Sequence, residues 1–291
     1  MRVSRLRLLG AGAVAALALS ACGTNSGGVD VEVVENPQFA EGTTMARLAE
    51  QGKITIGVKF DQPGIGYLEP GADEPTGFDI EIGKIIAGKL GIPPENIEWK
   101  ETVSDNREPF LQRGTVDIVV ASYSITDERR AVVGQAGPYY VTGQQLLVRE
   151  EDKDTINDPK QLADVKTCSV KGSTSLDRVV QDYGANPVPF DTYSACVEQL
   201  LNGSVDAVTT DGAILLGYAA QRPDELEVVG PVFTEERYGI GYKHGDTEMC
   251  KFLTQTINEA IEDGTWAKAF EATLGQSGVE TPKPPKPDPC E

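Results

Sequence analysis

The stretch Ala121–Arg130, ASYSITDERR, places two serines, a threonine and two arginines directly after the apolar run VDIVV. Hydroxyls and guanidinium forks make a donor set suited to a carboxylate. A planar guanidinium meets both carboxylate oxygens, where a lysine offers a point charge. Arg129 can serve as such a carboxylate partner, although on the residues alone a structural role for it is favoured. Ser122 and Ser124, two apart at the end of a predicted strand, face the same way and can add hydroxyl and backbone hydrogen bonds. A second donor set is GSTS, Gly172–Ser175, where a turn enters a helix and free backbone N–H groups form a nest for an anion, with Thr174 and Ser175 beside it. Acids suited to an ammonium end two other predicted strands: Asp211 closes VDAVTTD, and Asp61 follows KITIGVKF. Each feature also has a plain structural reading. Thr126 caps a helix beginning DERR, with Asp127 and Glu128 at its positive end; Asp211 caps a helix before GAILLGYAA; GSTS is a loop. Metal and cofactor chemistry is not expected, because the single histidine, His244, lies outside these motifs and no Cys-x-x-Cys spacing occurs.

The whole chain is acidic, with a formal net charge of −19 over 291 residues. Such a balance disfavours nucleic acid and anionic lipid headgroups as partners. It also means that a local cluster of cations needs a reason. At the N-terminus, Arg2, Arg5 and Arg7 precede LLGAGAVAALALSAC, an apolar segment too short for a permanent bilayer span and ending in small residues. Residues 1–21 are therefore predicted to be a signal peptide. LSAC resembles the lipobox of bacterial lipoproteins, in which the cysteine, here Cys22, becomes the lipidated first residue; a plain secretory cleavage site is the alternative, and the following GTNSGG favours lipidation. The expectation is a protein tethered to the membrane through its N-terminal lipid and lying outside the cytoplasm. Four cysteines remain, Cys168, Cys196, Cys250 and Cys290, an even number in an oxidising compartment. Of the three possible pairings, Cys168–Cys196 with Cys250–Cys290 is favoured, the second pinning the tail to the last helix.

The elements that must position these groups alternate. KITIGVKF reads as a strand, and GFDIEIGKIIAGKLG as a helix with Phe78, Ile82, Ile85, Ile86 and Leu90 on one face. VDIVVAS and QQLLVRE follow as strands. The cycle restarts with KTCSVKG, STSLDRVVQDYG, SACVEQLLNGS, VDAVTTDG, AILLGYAAQRP and LEVVG. Alternation of this kind predicts an α/β class with largely parallel sheets. LQRGTVDIVVAS is echoed by LLNGSVDAVTTD, a weak sign of two similar lobes. The last helices, MCKFLTQTINEAIEDG and WAKAFEATLG, have no strands of their own and are expected to return to the first lobe. The predicted divisions are a flexible tether over 22–45, lobe 1 over 46–142 and 235–275, lobe 2 over 143–234, and an extended proline-rich tail over 276–291.

GFDIEIGKIIAGKL resembles the signature of family-3 extracellular solute-binding proteins, which serve polar amino-acid ABC importers. VDIVVASYSITDERR, PYYVTGQQLLV, VKGSTSLD and VDAVTTDG follow in the family's order, so the resemblance covers about 46–275. KFDQPGIGY and SDNREPFLQRG look like the glutamate-binding members. The resemblance implies a two-lobe periplasmic-binding-protein-like fold. Two hinge crossovers, near 140–144 and 234–239, would flank a ligand cleft between the lobes. It implies Arg129 for the α-carboxylate and Asp211 for the ammonium, with Asp61 assisting. Arg107 would read a distal carboxylate, and Tyr193 and Thr210 would touch the ligand from the second lobe. Lys59 and Lys171 sit at strand ends expected to face the cleft. Where the family often has Gly-Thr-Thr, this chain has Ser173-Thr174-Ser175, which keeps hydroxyls but changes the donor.

Three cations beyond Arg129 suit L-glutamate best, aspartate next and glutamine third. The implied protein is a monomeric, non-enzymatic binding component that delivers its ligand to ABC permease subunits. Two other classes share the fold: cyclohexadienyl-dehydratase-like enzymes, disfavoured by the lack of histidine in the motifs, and sensory amino-acid-binding modules, which would need a separate receptor.

Overall fold

The computed structural model describes residues 28–290; the signal segment and Cys22 lie outside the described residues. In chain order the elements are α1 (Thr44–Gln51), β1 (Ile54–Val58), β2 (Asp61–Gln62), β3 (Gly66–Tyr67), α2 (Phe78–Lys89), β4 (Ile97–Glu101), α3 (Arg107–Arg113), β5 (Ile118–Val119), α4 (Asp127–Arg130) and β6 (Gly134–Thr142). They continue with β7 (Gln144–Arg149), β8 (Thr167–Val170), α5 (Thr174–Tyr183), β9 (Val188–Phe190), α6 (Tyr193–Leu201), β10 (Ala207–Asp211), α7 (Gly212–Gln221), β11 (Leu226–Val229), β12 (Glu236–Tyr242), α8 (Thr247–Glu262) and α9 (Thr265–Ala272).

Two five-stranded sheets form, ordered β4-β1-β5-β12-β6 and β11-β7-β10-β8-β9. Read from the other edge, the second repeats the first: a strand, its parallel partner, a third parallel strand, then two antiparallel ones. The sequence echo falls at equivalent places, ending in β5 and β10. The expectation of largely parallel sheets is corrected here. Each sheet joins β1–β4 and β1–β5, or β8–β9 and β10–β8, in parallel, and two further pairs antiparallel. The cause is the chain's passage between sheets. β6 runs into β7 across Gly143 alone, and residues 230–235 carry the chain back from β11 to β12, so the outgoing and returning strands lie antiparallel side by side in each sheet.

α2 carries the core of the first lobe. Its Phe78 ring meets Tyr139 and Tyr140 of β6 and Trp266 and Phe270 of α9, with centroids 5.5–6.0 Å apart. Trp266 Nε1 donates to the Tyr139 carbonyl at 2.8 Å, which ties α9 to the first sheet. α2 is buried on nearly all sides, including Asp79 and Glu81. A two-sided burial of this kind reads poorly from helical periodicity, and its cause lies upstream. Residues 29–39, expected to be part of a flexible tether, lie against α2. Val29 N donates to Glu81 Oε2 at 3.0 Å, Val34 N to the Gly88 carbonyl at 2.9 Å, and Val29, Val31 and Phe39 pack against the core. Gly88 has to be small, because a β-carbon would press on Glu32.

Both favoured disulfides form, Cys168–Cys196 between β8 and α6 and Cys250–Cys290 between α8 and the tail. The tail is more than a covalently pinned arm. Asp288 accepts from Arg130 at 2.7 Å and Arg237 at 2.6 Å, and its N–H reaches the Gly137 carbonyl at 2.7 Å.

Candidate functional site

The carboxyl ends of β5, β8 and β10 meet at the boundary between the sheets, where open α/β folds place their ligands. There the strand after β5 leaves the ladder. Ser122 adopts φ +42°, in the left-handed region, and its N–H is held by Asp79 Oδ2 at 2.7 Å. Asp79 also accepts from Tyr139 Oη at 2.6 Å, and burial is the main influence raising its carboxyl to about 6. This buried acid, in the second position of α2, fixes the turn that carries Ser122, Tyr123 and Ser124. It was not among the predicted site residues. Its signal was an acid inside an otherwise apolar helical face.

Two guanidinium groups converge on that turn. Arg107, only 2% exposed, opens α3 and donates to the carbonyls of Ser104 (3.1 Å), Ala121 (3.2 Å) and Ser122 (3.3 Å). Arg129 in α4 donates to the Ser124 carbonyl at 2.7 Å and pairs through Nε with Glu108 at 3.2 Å. Both sit over the Tyr123 ring, with Cζ 4.5 and 4.9 Å from its centroid. Carbonyl acceptors and an aromatic face hold both forks in place without cancelling charge; the one carboxylate paired with them is Glu108, on Arg129. Burial, reinforced by Arg129, lowers Arg107 to about 10. Lys59, buried after β1, donates to Ser104 Oγ at 2.9 Å; burial and then the Arg107 charge lower it to about 7.

The second lobe supplies a different chemistry. Ser173 caps α5 by accepting from Leu176 N at 3.0 Å, so the N–H groups of Thr174 and Ser175 begin a helix with no helical acceptors of their own. The Thr174 hydroxyl donates to Glu236 at 2.9 Å. Asp211, at the end of β10, accepts from Tyr238 Oη at 2.6 Å and from Ser175 Oγ at 3.5 Å. Burial and the nearby Glu236 charge raise its carboxyl to about 7. Tyr193 Oη is buried with no hydrogen-bond partner among the described residues.

These groups line a narrow cleft. Of the predicted residues, Arg107, Ser122, Ser124 and Arg129 line it from the first lobe. Thr174, Ser175, Tyr193, Thr210 and Asp211 line it from the second. Ser104, Ser173 and Ile214 join them unpredicted. Lys59 lies behind Ser104. Arg107 Nη2 and Arg129 Nη2 each donate to the Gly172 carbonyl at 3.0 Å, so the lobes are closed on each other.

Two predicted residues are not brought in. Lys171 is about half exposed and pairs with Asp191 at 2.9 Å. A strongly hydrated ammonium stays in water here, beside an acid, and avoids burial next to two guanidinium groups. Asp61 turns its carboxylate to the backbone N–H groups of Tyr193 (2.8 Å) and Ser194 (3.3 Å), at the head of α6, and leaves the cleft to Asp211. The described residues hold no cluster able to bind a metal ion.

Comparison with known proteins fits this geometry. The chain is 38% identical over 277 residues to the glutamate-binding protein GluB of Corynebacterium efficiens, covering 91% of this chain and 89% of that one. It is 31% identical to the ABC transporter glutamine-binding protein GlnH of Bacillus subtilis, covering 91% and 95%. The solute receptor for L-cysteine of Neisseria gonorrhoeae superposes with a TM-score of 0.76 at 28% identity, covering 82% of this chain and 97% of that one. Residues 54–276 match the model of bacterial extracellular solute-binding proteins, family 3, and the chain belongs to that family.

Proposed function

We propose that this protein binds L-glutamate by closure of its two lobes and delivers it to the membrane subunits of an ABC importer. The observation that carries the reading is the charge arrangement of the cleft. Arg129, Arg107 and the nearby Lys59 come from one lobe, and Asp211 comes from the other. A zwitterion with a second carboxylate offers two negative groups and one positive group, and here each finds an opposite partner once water is expelled. Arg129, with the first N–H groups of α5, takes the α-carboxylate. Asp211 takes the ammonium. Arg107, Ser104 and Lys59 take the distal carboxylate, with Tyr193 Oη as a further donor. Glutamate-binding and glutamine-binding relatives over nearly the full length support an amino-acid ligand. Aspartate and glutamine are the next candidates. The family, together with the Cys22 motif, supports a lipid-anchored, extracytoplasmic monomer whose role is binding rather than catalysis.

Calorimetric titration of the lipid-free protein with glutamate, aspartate, glutamine and asparagine tests the reading. Glutamate should bind tightest. Tighter binding of a neutral or cationic amino acid would sink it, and turnover of any of these compounds would restore the enzymatic alternative.

A further inference from the structure

Outside the ligand cleft, one small element of the first lobe grips the second. The β2–β3 hairpin, spanning Asp61–Tyr67, lies against α6 and α7 across the lobe boundary. The head of α6 has four backbone N–H groups without helical acceptors. Thr192 Oγ1 takes the last of them, from Ala195, at 3.3 Å. Asp61 Oδ2 takes the two before it, from Tyr193 at 2.8 Å and Ser194 at 3.3 Å. A carboxylate at the positive end of a helix is also favoured by the helix dipole. Tyr218 of α7 donates its hydroxyl to the Asp61 carbonyl. One turn of chain further on, Gly217 meets Pro63 so closely that a β-carbon at 217 would overlap the Pro63 carbonyl oxygen. Every contact that Asp61 and Pro63 make here joins residues more than 130 positions apart on different lobes, so each exists only while the lobes are together.

We propose that the Asp61–Pro63 segment is a closure latch, with Asp61 a positioning residue that stabilises the closed state without touching the ligand. A ligand that binds the closed form is held more weakly when closure itself costs more, by the factor lost from the closing equilibrium. The latch therefore scales affinity for every ligand equally and leaves selectivity alone. A residue reading the ammonium would instead spare ligands that lack one.

Two variants test this, with L-glutamate and L-glutamine as probes; the choice of probes rests on the proposed ligand class. Asp61→Ala should weaken both by about tenfold, with their ratio unchanged, because the coupling passes only through the closing equilibrium. Asp61→Asn retains an oxygen acceptor at the helix head and should recover most of the loss. Gly217→Ala attacks the same interface from the other lobe. Alanine is the better helix former, so α7 should keep its stability, yet binding of both probes should weaken. Small-angle scattering reads the latch without reference to the ligand's identity: without ligand, wild type should be compact and both Asp61→Ala and Gly217→Ala more open, whereas a saturating probe should close all three. Unchanged affinity in both variants, or an altered glutamate-to-glutamine ratio, overturns the latch. Failure of the wild-type protein to bind either probe would count against the ligand assignment alone, and the scattering comparison of the three unliganded proteins would still decide the latch, with equal dimensions overturning it.

Discussion

The two halves of the cleft are built on the same sheet order yet carry opposite chemistry. The first lobe presents Arg107 and Arg129, fixed by main-chain carbonyls and a shared tyrosine ring, with Lys59 behind them. The second presents the start of α5, several hydroxyls and the buried Asp211. Neither half is complete for an amino acid. The first would hold any small dicarboxylate, and the second alone has no fixed cation. On the proposed reading, selectivity for a zwitterion arises only when the halves close, because the ligand's negative groups are matched from the first lobe and its positive group from the second.

The contrast can be broken most severely at Arg129. Arg129→Ala removes the α-carboxylate partner and should weaken every amino-acid ligand by about a hundredfold or more, the order expected for a buried charge left unpaired. Retained affinity in calorimetry would refute the assignment. Asp211→Asn should cost about thirtyfold for amino acids, a loss of the size seen for charged hydrogen bonds, while barely affecting 2-oxoglutarate, which lacks the ammonium. Equal losses for both compounds would remove Asp211 from the ammonium site. Arg107→Ala should cost about tenfold more for glutamate than for glutamine, since only glutamate places a charge there. Equal losses would show that Arg107 does not read the distal group.

pH sharpens the comparison, because the two halves titrate in opposite senses. Asp211, raised to about 7, is protonated in acid and must lose its proton to receive an ammonium. Affinity for glutamate and glutamine alike should fall as pH drops below about 7, approaching tenfold per unit. Lys59, lowered to about 7, loses its charge above that value. Affinity should therefore also fall on the alkaline side for glutamate, and much less for glutamine. Identical pH profiles for the two ligands would detach Lys59 from the distal subsite. The smallest effect on binding is expected at the tail. Cys250→Ser with Cys290→Ser should lower stability by about 4 kcal/mol, in line with the loop closed, yet change the glutamate Kd less than threefold because Asp288 still holds Arg130 and Arg237. A large change in Kd would place the tail in the binding machinery.

Much of the site was legible in the sequence once the family resemblance was added to types and spacing. Arg129, Arg107, Ser122, Ser124 and Asp211 stand at predicted strand or helix ends, and the fold brings them to one cleft. Lys171 and Asp61 stand at strand ends too, and there the same rule misleads. A strand end brings a residue near the boundary, but side-chain direction and competing partners decide what it meets. Lys171 found Asp191 and water, and Asp61 found the open N–H groups of α6. Asp79 and Glu236 escaped because their carboxylates act through neighbours, one holding the Ser122 turn and the other accepting from Thr174 beside Asp211.

The amino-acid order by itself determined the α/β alternation, the repeated strand motifs and the cation-rich turn, since propensity, capping and charge act over short distances along the chain, while for the disulfides it favoured one of three pairings. Only the tertiary structure decided that the sheets are mixed, that residues 29–39 cover α2, and which acid faces the cleft. These depend on contacts between residues far apart in the chain, where desolvation and the competition for donors are settled by what folding brings together.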